Sequence, residues 1–79
     1  MTKEQFSDSE RAIMDAVKEV QAEKREEHRV PDYATLDEIT SYAHMERDEV
    51  LRILRGLYKS GRIEYRRTVN GTLMFGTKD

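Results

Sequence analysis

The feature that most constrains this chain is a change of period at Gly61. Val50, Ile53, Leu54 and Leu57 recur at the spacing of one helix face, whereas the apolar residues after Gly61 alternate. Ile63 and Tyr65 alternate with Arg62, Glu64 and Arg66, Leu73 and Phe75 alternate with Thr72, Met74 and Gly76, and Asn70-Gly71 separates the two runs. This reads as a helix followed directly by a β-hairpin over about 62–78. A two-residue turn at Asn70-Gly71 pairs Tyr65 with Gly76 and Arg66 with Phe75, leaving the two apolar sets on opposite faces. A three-residue loop, Val69-Asn70-Gly71 with Gly71 as the bulge residue, instead pairs Tyr65 with Phe75 and Ile63 with Thr77. The bulged loop is expected, because it gathers Ile63, Tyr65, Leu73 and Phe75 on one buried face.

Upstream the pattern is helical. Ser7 stands three residues before Glu10, the capping-box spacing, and Ile13, Ala16, Val17 and Val20 follow at helical intervals with Met14 beside them, giving a first helix over about 8–27. Its far face carries Arg11, Asp15, Lys18, Glu19, Glu23 and Arg25, and the run from Glu23 to Arg29 reads as a solvated helix end. Val30-Pro31-Asp32 breaks the pattern, and Tyr33 is the one large apolar side chain in the connection. Thr35 then caps a short second helix over about 36–43 with Glu38 at the capping-box position, burying Leu36, Ile39 and either Ala43 or Tyr42. The third helix covers about 47–60 and stops at Ser60-Gly61, where glycine takes the left-handed C-cap conformation. At about 100° per residue, Asp48, Arg52, Arg55 and Lys59 fall together opposite its apolar stripe. Tyr42, Tyr58 and Tyr65 flank the buried stripes, positions that suit a packed ring with its hydroxyl at water better than base stacking.

The chain has 79 residues, enough for one hydrophobic core, so residues 1–79 are expected to form a single domain without a catalytic lobe. Cysteine is absent, which excludes a disulfide framework and a thiolate zinc site. Residues 1–9 are polar and acidic apart from Phe6, and no apolar run approaches membrane-spanning length, so a cytoplasmic protein is expected. An enzyme is not expected. His28 and His44 lack a nucleophile or carboxylate at a recognisable motif spacing, and Gly56, Gly61, Gly71 and Gly76 are too dispersed for a phosphate loop. His44 and Asp48 lie one helical turn apart, but a turn histidine is the default reading, and neither a metal nor a cofactor is expected.

The formal net charge of −2 conceals an asymmetry. Residues 1–39 hold six Lys/Arg against eleven Asp/Glu, and residues 40–79 hold eight against five, so any anion-binding face belongs to the second half.

The stretch from Thr35 to Ile63 resembles the winged helix-turn-helix superfamily of bacterial and archaeal DNA-binding domains, and the hairpin resembles its wing. Leu36 and Ile39 match where helix two packs, Met45 where the turn plugs the core, and Val50 and Leu54 where the recognition helix packs. Leu57, Gly61 and Ile63 match the closing pattern that leads into the wing. The implied architecture is α+β but mostly α, with three helices and a C-terminal hairpin. Two departures stand out: His44 replaces the usual turn glycine, and Glu46 the usual Ser or Thr cap. Histidine tolerates the left-handed conformation better than most residues, and glutamate, though a poor cap, suits a helix N-terminus by charge.

The resemblance implies double-stranded DNA as partner and a small transcriptional regulator as function, with no cofactor. On that reading Arg52, Arg55 and Lys59 contact phosphates or guanine from the third helix, while Arg62, Arg66, Arg67 and Asn70 hold the flanking backbone from the wing. Thr35 and Ser41 are further phosphate candidates. Glu46, Asp48 and Glu49 oppose this reading, since they place acids where base edges are ordinarily met; their other role is to stabilise the helix dipole. Asp48-Arg52 also has ion-pair spacing, which would make Arg52 a solubilising residue. The alternative function is a protein-interaction module without direct DNA contact; a protein partner or a homodimer is the corresponding partner, and the exposed face of helix one is the surface that could serve dimerisation. Winged helices that bind left-handed DNA are set aside, because their helix-three asparagine and tyrosine correspond to Leu51 and Arg55, and the wing lacks their proline and tryptophan.

Overall fold

The structure is a computed structural model that describes residues 7–30 and 32–77. Its elements are α1 (Asp8–Glu26), β1 (Ala34–Thr35), α2 (Leu36–Ala43), α3 (Arg47–Lys59), β2 (Ile63–Arg67) and β3 (Leu73–Thr77), the strands forming an antiparallel sheet in the order β1-β3-β2. The expected break at Pro31 and the end of the hairpin at 78 lie outside the described residues.

Both capping boxes form. The Glu10 and Glu38 N–H groups donate to Ser7 Oγ and Thr35 Oγ1, and each glutamate accepts the N–H of its capping residue in return. Helices α1 and α3 end alike, each with two reversed hydrogen bonds closing over a left-handed residue. In α1 that residue is His28 (φ 57°), whose N–H donates to the Arg25 carbonyl while that of Arg29 donates to Lys24. In α3 it is Gly61 (φ 81°), with Gly61 donating to Tyr58 and Arg62 to Leu57.

Ile13, Val17 and Val20 of α1 meet Leu36 and Ile39 of α2, Val50, Leu54 and Leu57 of α3, and Ile63 and Phe75 of the sheet in one core. In α2 it is Ala43 that packs against this core, while Tyr42 is 44% exposed. The hairpin has the bulged register: Ile63 pairs with Thr77 and Tyr65 with Phe75. The Gly71 N–H donates to the Thr68 carbonyl and that of Thr68 to Thr72, with Gly71 at φ 86° in the position that a side chain would strain.

Three expectations need correction. The hairpin is not alone, because Ala34 and Thr35 pair with Phe75 and Met74 as a third strand. A two-residue strand is too short to carry an alternation. Because β3 is thereby central and covered, Met74 and Gly76 are buried together with Phe75, and it is Tyr65, on an edge strand, that is 43% exposed. The sheet also runs close to α1: a Cβ on Gly76 would lie 2.9 Å from Gln21 Nε2 and 3.3 Å from Tyr33 Cζ, and Gln21 Oε1 accepts from the Thr77 N–H.

The third correction is that the last turns of α1 are not simply solvated. Lys24 is 5% exposed; its ammonium donates to the Tyr33 carbonyl at 2.7 Å and reaches Glu38 Oε1 at 2.8 Å. Burial works to raise the Glu38 pKa, but the hydrogen bonds from Lys24 and the Thr35 backbone outweigh it and hold the carboxyl below its ordinary value. Such a group contributes stability that is complete above the ordinary glutamate pKa and is lost as pH falls through the lowered one. The Lys24→Met variant keeps the aliphatic stem but strands the Tyr33 carbonyl, and should lose about 2 kcal/mol in urea unfolding at neutral pH. Its deficit relative to the wild type should shrink as pH drops through and below the glutamate range. An unchanged midpoint at neutral pH would show that the ammonium does not hold the connection.

Candidate nucleic-acid interface

The turn between α2 and α3 fixes where α3 points. His44 sits at φ 56°, ψ 45°, the left-handed conformation, and its N–H donates to the Thr40 carbonyl. Both histidines are thus left-handed turn residues, and among the described residues no group of three or more His, Asp or Glu is arranged to hold a metal. Met45 packs against the core, and Glu46 caps α3 with backbone geometry alone, its side chain making no capping hydrogen bond.

Arg52, Arg55 and Lys59 are exposed on the outer face of α3. The ion pairs among the described residues join Lys24 to Glu38, Arg25 to Asp32, Arg29 to Glu27 and Arg47 to Asp37; none involves these three cations, so Asp48 and Arg52 do not close as a pair. Arg52 borders a shallow hollow shared with Glu49, Ser7 and Ser9, on the side of α3 that faces the start of α1. Thr35 has spent its hydroxyl on the α2 cap, and Ser41 lies beside Tyr42 in a hollow between α1 and α2, away from α3's outer face.

The hairpin arginines divide between the two faces of β2, because successive side chains point to opposite sides of a strand. Arg67 points to the α3 side, where it and Arg55 border a hollow of about 290 Å³ walled by Tyr58 and Tyr65 over Leu54, Leu73 and Phe75. Arg66 takes the other side, its guanidinium carbon 5.7 Å from the centre of the Tyr33 ring, while the Tyr33 hydroxyl donates to Glu64 Oε2 at 2.7 Å. Arg62 is half-buried, and Asn70 is exposed at the tip beside Val69. Of the seven residues singled out from sequence, only Arg55 and Arg67 are brought to one hollow. The Tyr33–Glu64–Arg66 cluster was missed, although Tyr33 stood out as the large side chain of its connection.

No protein-family model and no curated protein matches the sequence. Among solved structures the chain is similar to a crystal structure of a MarR family transcription regulator, with a TM-score of 0.70 and 20% identity over 92% of this chain. The match covers 42% of that regulator, so this chain spans less than half its length. The likeness establishes the fold as a winged helix-turn-helix, α+β and mostly helical, in which α2 and α3 form the helix-turn-helix and the β2–β3 hairpin the wing.

Glu46→Ser should raise stability by about 1 kcal/mol, because serine supplies the side-chain cap that glutamate does not. Thermal unfolding checks this, and a variant no more stable than the wild type would contradict the assignment of Glu46 as an unsatisfied cap.

Proposed function

We propose that the chain binds double-stranded DNA through α3 and the wing and acts as a small transcription regulator. The observation that carries this reading is the outer face of α3, where Arg52, Arg55 and Lys59 are exposed and belong to none of the ion pairs among the described residues. Cations held on a rigid helix outside those ion pairs are suited to phosphates, and Arg67 of the wing borders the same hollow as Arg55. The winged-helix fold and the regulator role of the structural relative support the same reading. No helix among the described residues is long and apolar enough to cross a membrane.

The acids at the start of α3 shape how the duplex is met. Glu46 and Asp48 are exposed and Glu49 half-buried, so a polyanion is repelled at the first turn and attracted from Arg52 onward. The chain therefore grips the backbone with the middle and end of α3 more than it reads bases with the first turn.

Fluorescence anisotropy with a random duplex at low salt tests this directly. Binding should appear and weaken steeply as salt rises. Arg55→Gln should lower the slope of log affinity against log salt by about one, the effect of losing one phosphate contact. Arg66→Gln should cost less, since Arg66 is already engaged with Tyr33. Absence of binding at low salt would overturn the proposal and favour a protein-interaction role.

A further inference from the structure

The hollow between α3 and β2 has a composition that phosphate contact alone does not require. Its walls are Tyr58 and Tyr65, 47% and 43% exposed, with ring centroids 4.8 Å apart at 65°. In an edge-to-face pair only one ring has a face covered by the other, so aromatic surface remains open to the hollow. Tyr65 rests in turn against Phe75, its centroid 6.3 Å away, which fixes its position from below. Arg55 and Arg67 stand at the rim, exposed and in none of the ion pairs among the described residues. Where the sequence pattern points to packed rings with only their hydroxyls at water, Tyr58 and Tyr65 are instead half-exposed, and both face the same concavity between two guanidinium groups.

Resting on the nucleic-acid reading above, we infer that this hollow takes the base of an unpaired nucleotide, stacked on the Tyr58–Tyr65 pair with its flanking phosphates on Arg55 and Arg67. Aromatic side chains accept any base face, and a neighbouring cationic rim tracks the backbone, the combination that single strands select. An intact duplex offers no free base face to such a platform, because its bases are stacked within the helix. The site is thus one for a single-stranded end, gap or extruded nucleotide beside a duplex gripped by the outer face of α3. A purely apolar partner is disfavoured by the two arginines, and a simple anion by the two rings.

The test compares three fluorescently labelled probes by anisotropy: oligothymidylate, a blunt duplex, and the same duplex with a thymidine overhang. The overhang probe should bind about tenfold more tightly than the blunt one. Tyr58→Leu, a change on an exposed helix face that circular dichroism can show to be folded, should abolish that advantage and weaken oligothymidylate binding about tenfold while leaving blunt-duplex affinity within about twofold. Tyr58→Phe, which keeps the ring, should retain the advantage. Equal affinity for blunt and overhang probes, or equal losses of both in Tyr58→Leu, would overturn the inference while leaving duplex binding standing. Absence of binding to every probe would overturn both.

Discussion

The bond from the Lys24 ammonium to the Tyr33 carbonyl is the contact on which the rest of the arrangement depends. It is made by a side chain near the end of α1 to the backbone that enters β1, and the same ammonium holds the carboxylate that caps α2. One buried charge therefore fixes the end of a helix, the start of a strand and the cap of the next helix. With the connection pinned, Ala34 and Thr35 lie along β3, and the hairpin becomes the outer part of a three-stranded sheet anchored to the helical core. A two-stranded ribbon on its own is at best marginally stable in water, and here the added strand and the packing of Ile63 and Phe75 into the helical core together hold the wing against α3.

That orientation produces the concavity between α3 and β2. Phe75, buried at the centre of the sheet, and Leu54, fully buried in α3, form its floor, and the edge position of β2 leaves Tyr65 and Arg67 open to solvent on the α3 side. The opposite face of β2 is used differently, with Glu64 and Arg66 engaged by Tyr33 from the connection. The outer part of β2 thus has one face engaged by Tyr33 and one that borders the hollow beside α3, and the strand alternation decides which arginine lies on which.

Much of this was legible from residue order. The switch of period at Gly61, the two capping boxes and the bulged hairpin register all depend on local spacing, and the structure has each of them. The left-handed His44 followed from its place in the helix-turn-helix pattern. What was not legible depends on contacts distant in sequence. β1 is two residues long, Lys24 sits in a run of charges that locally reads as solvent-facing, and the half-exposure of Tyr65 follows from β3 lying at the centre of the sheet. The candidate cations and their alternation along β2 were visible, but that Tyr33 covers one face and α3 borders the other was not, because both contacts join residues distant in sequence.

Where charge is free matters more for this molecule than how much of it there is. The chain is net acidic, and its acids concentrate in the first half, while Arg52, Arg55 and Lys59, in none of the ion pairs among the described residues, line the outer face of α3. The most direct measurement is a titration of isotopically labelled protein with a short duplex at low salt, following backbone amide shifts by NMR. The account predicts that perturbations gather on residues 52–59 and 62–72 and leave the outer face of α1 silent. Shifts confined to α1, or no shifts at all, would contradict it.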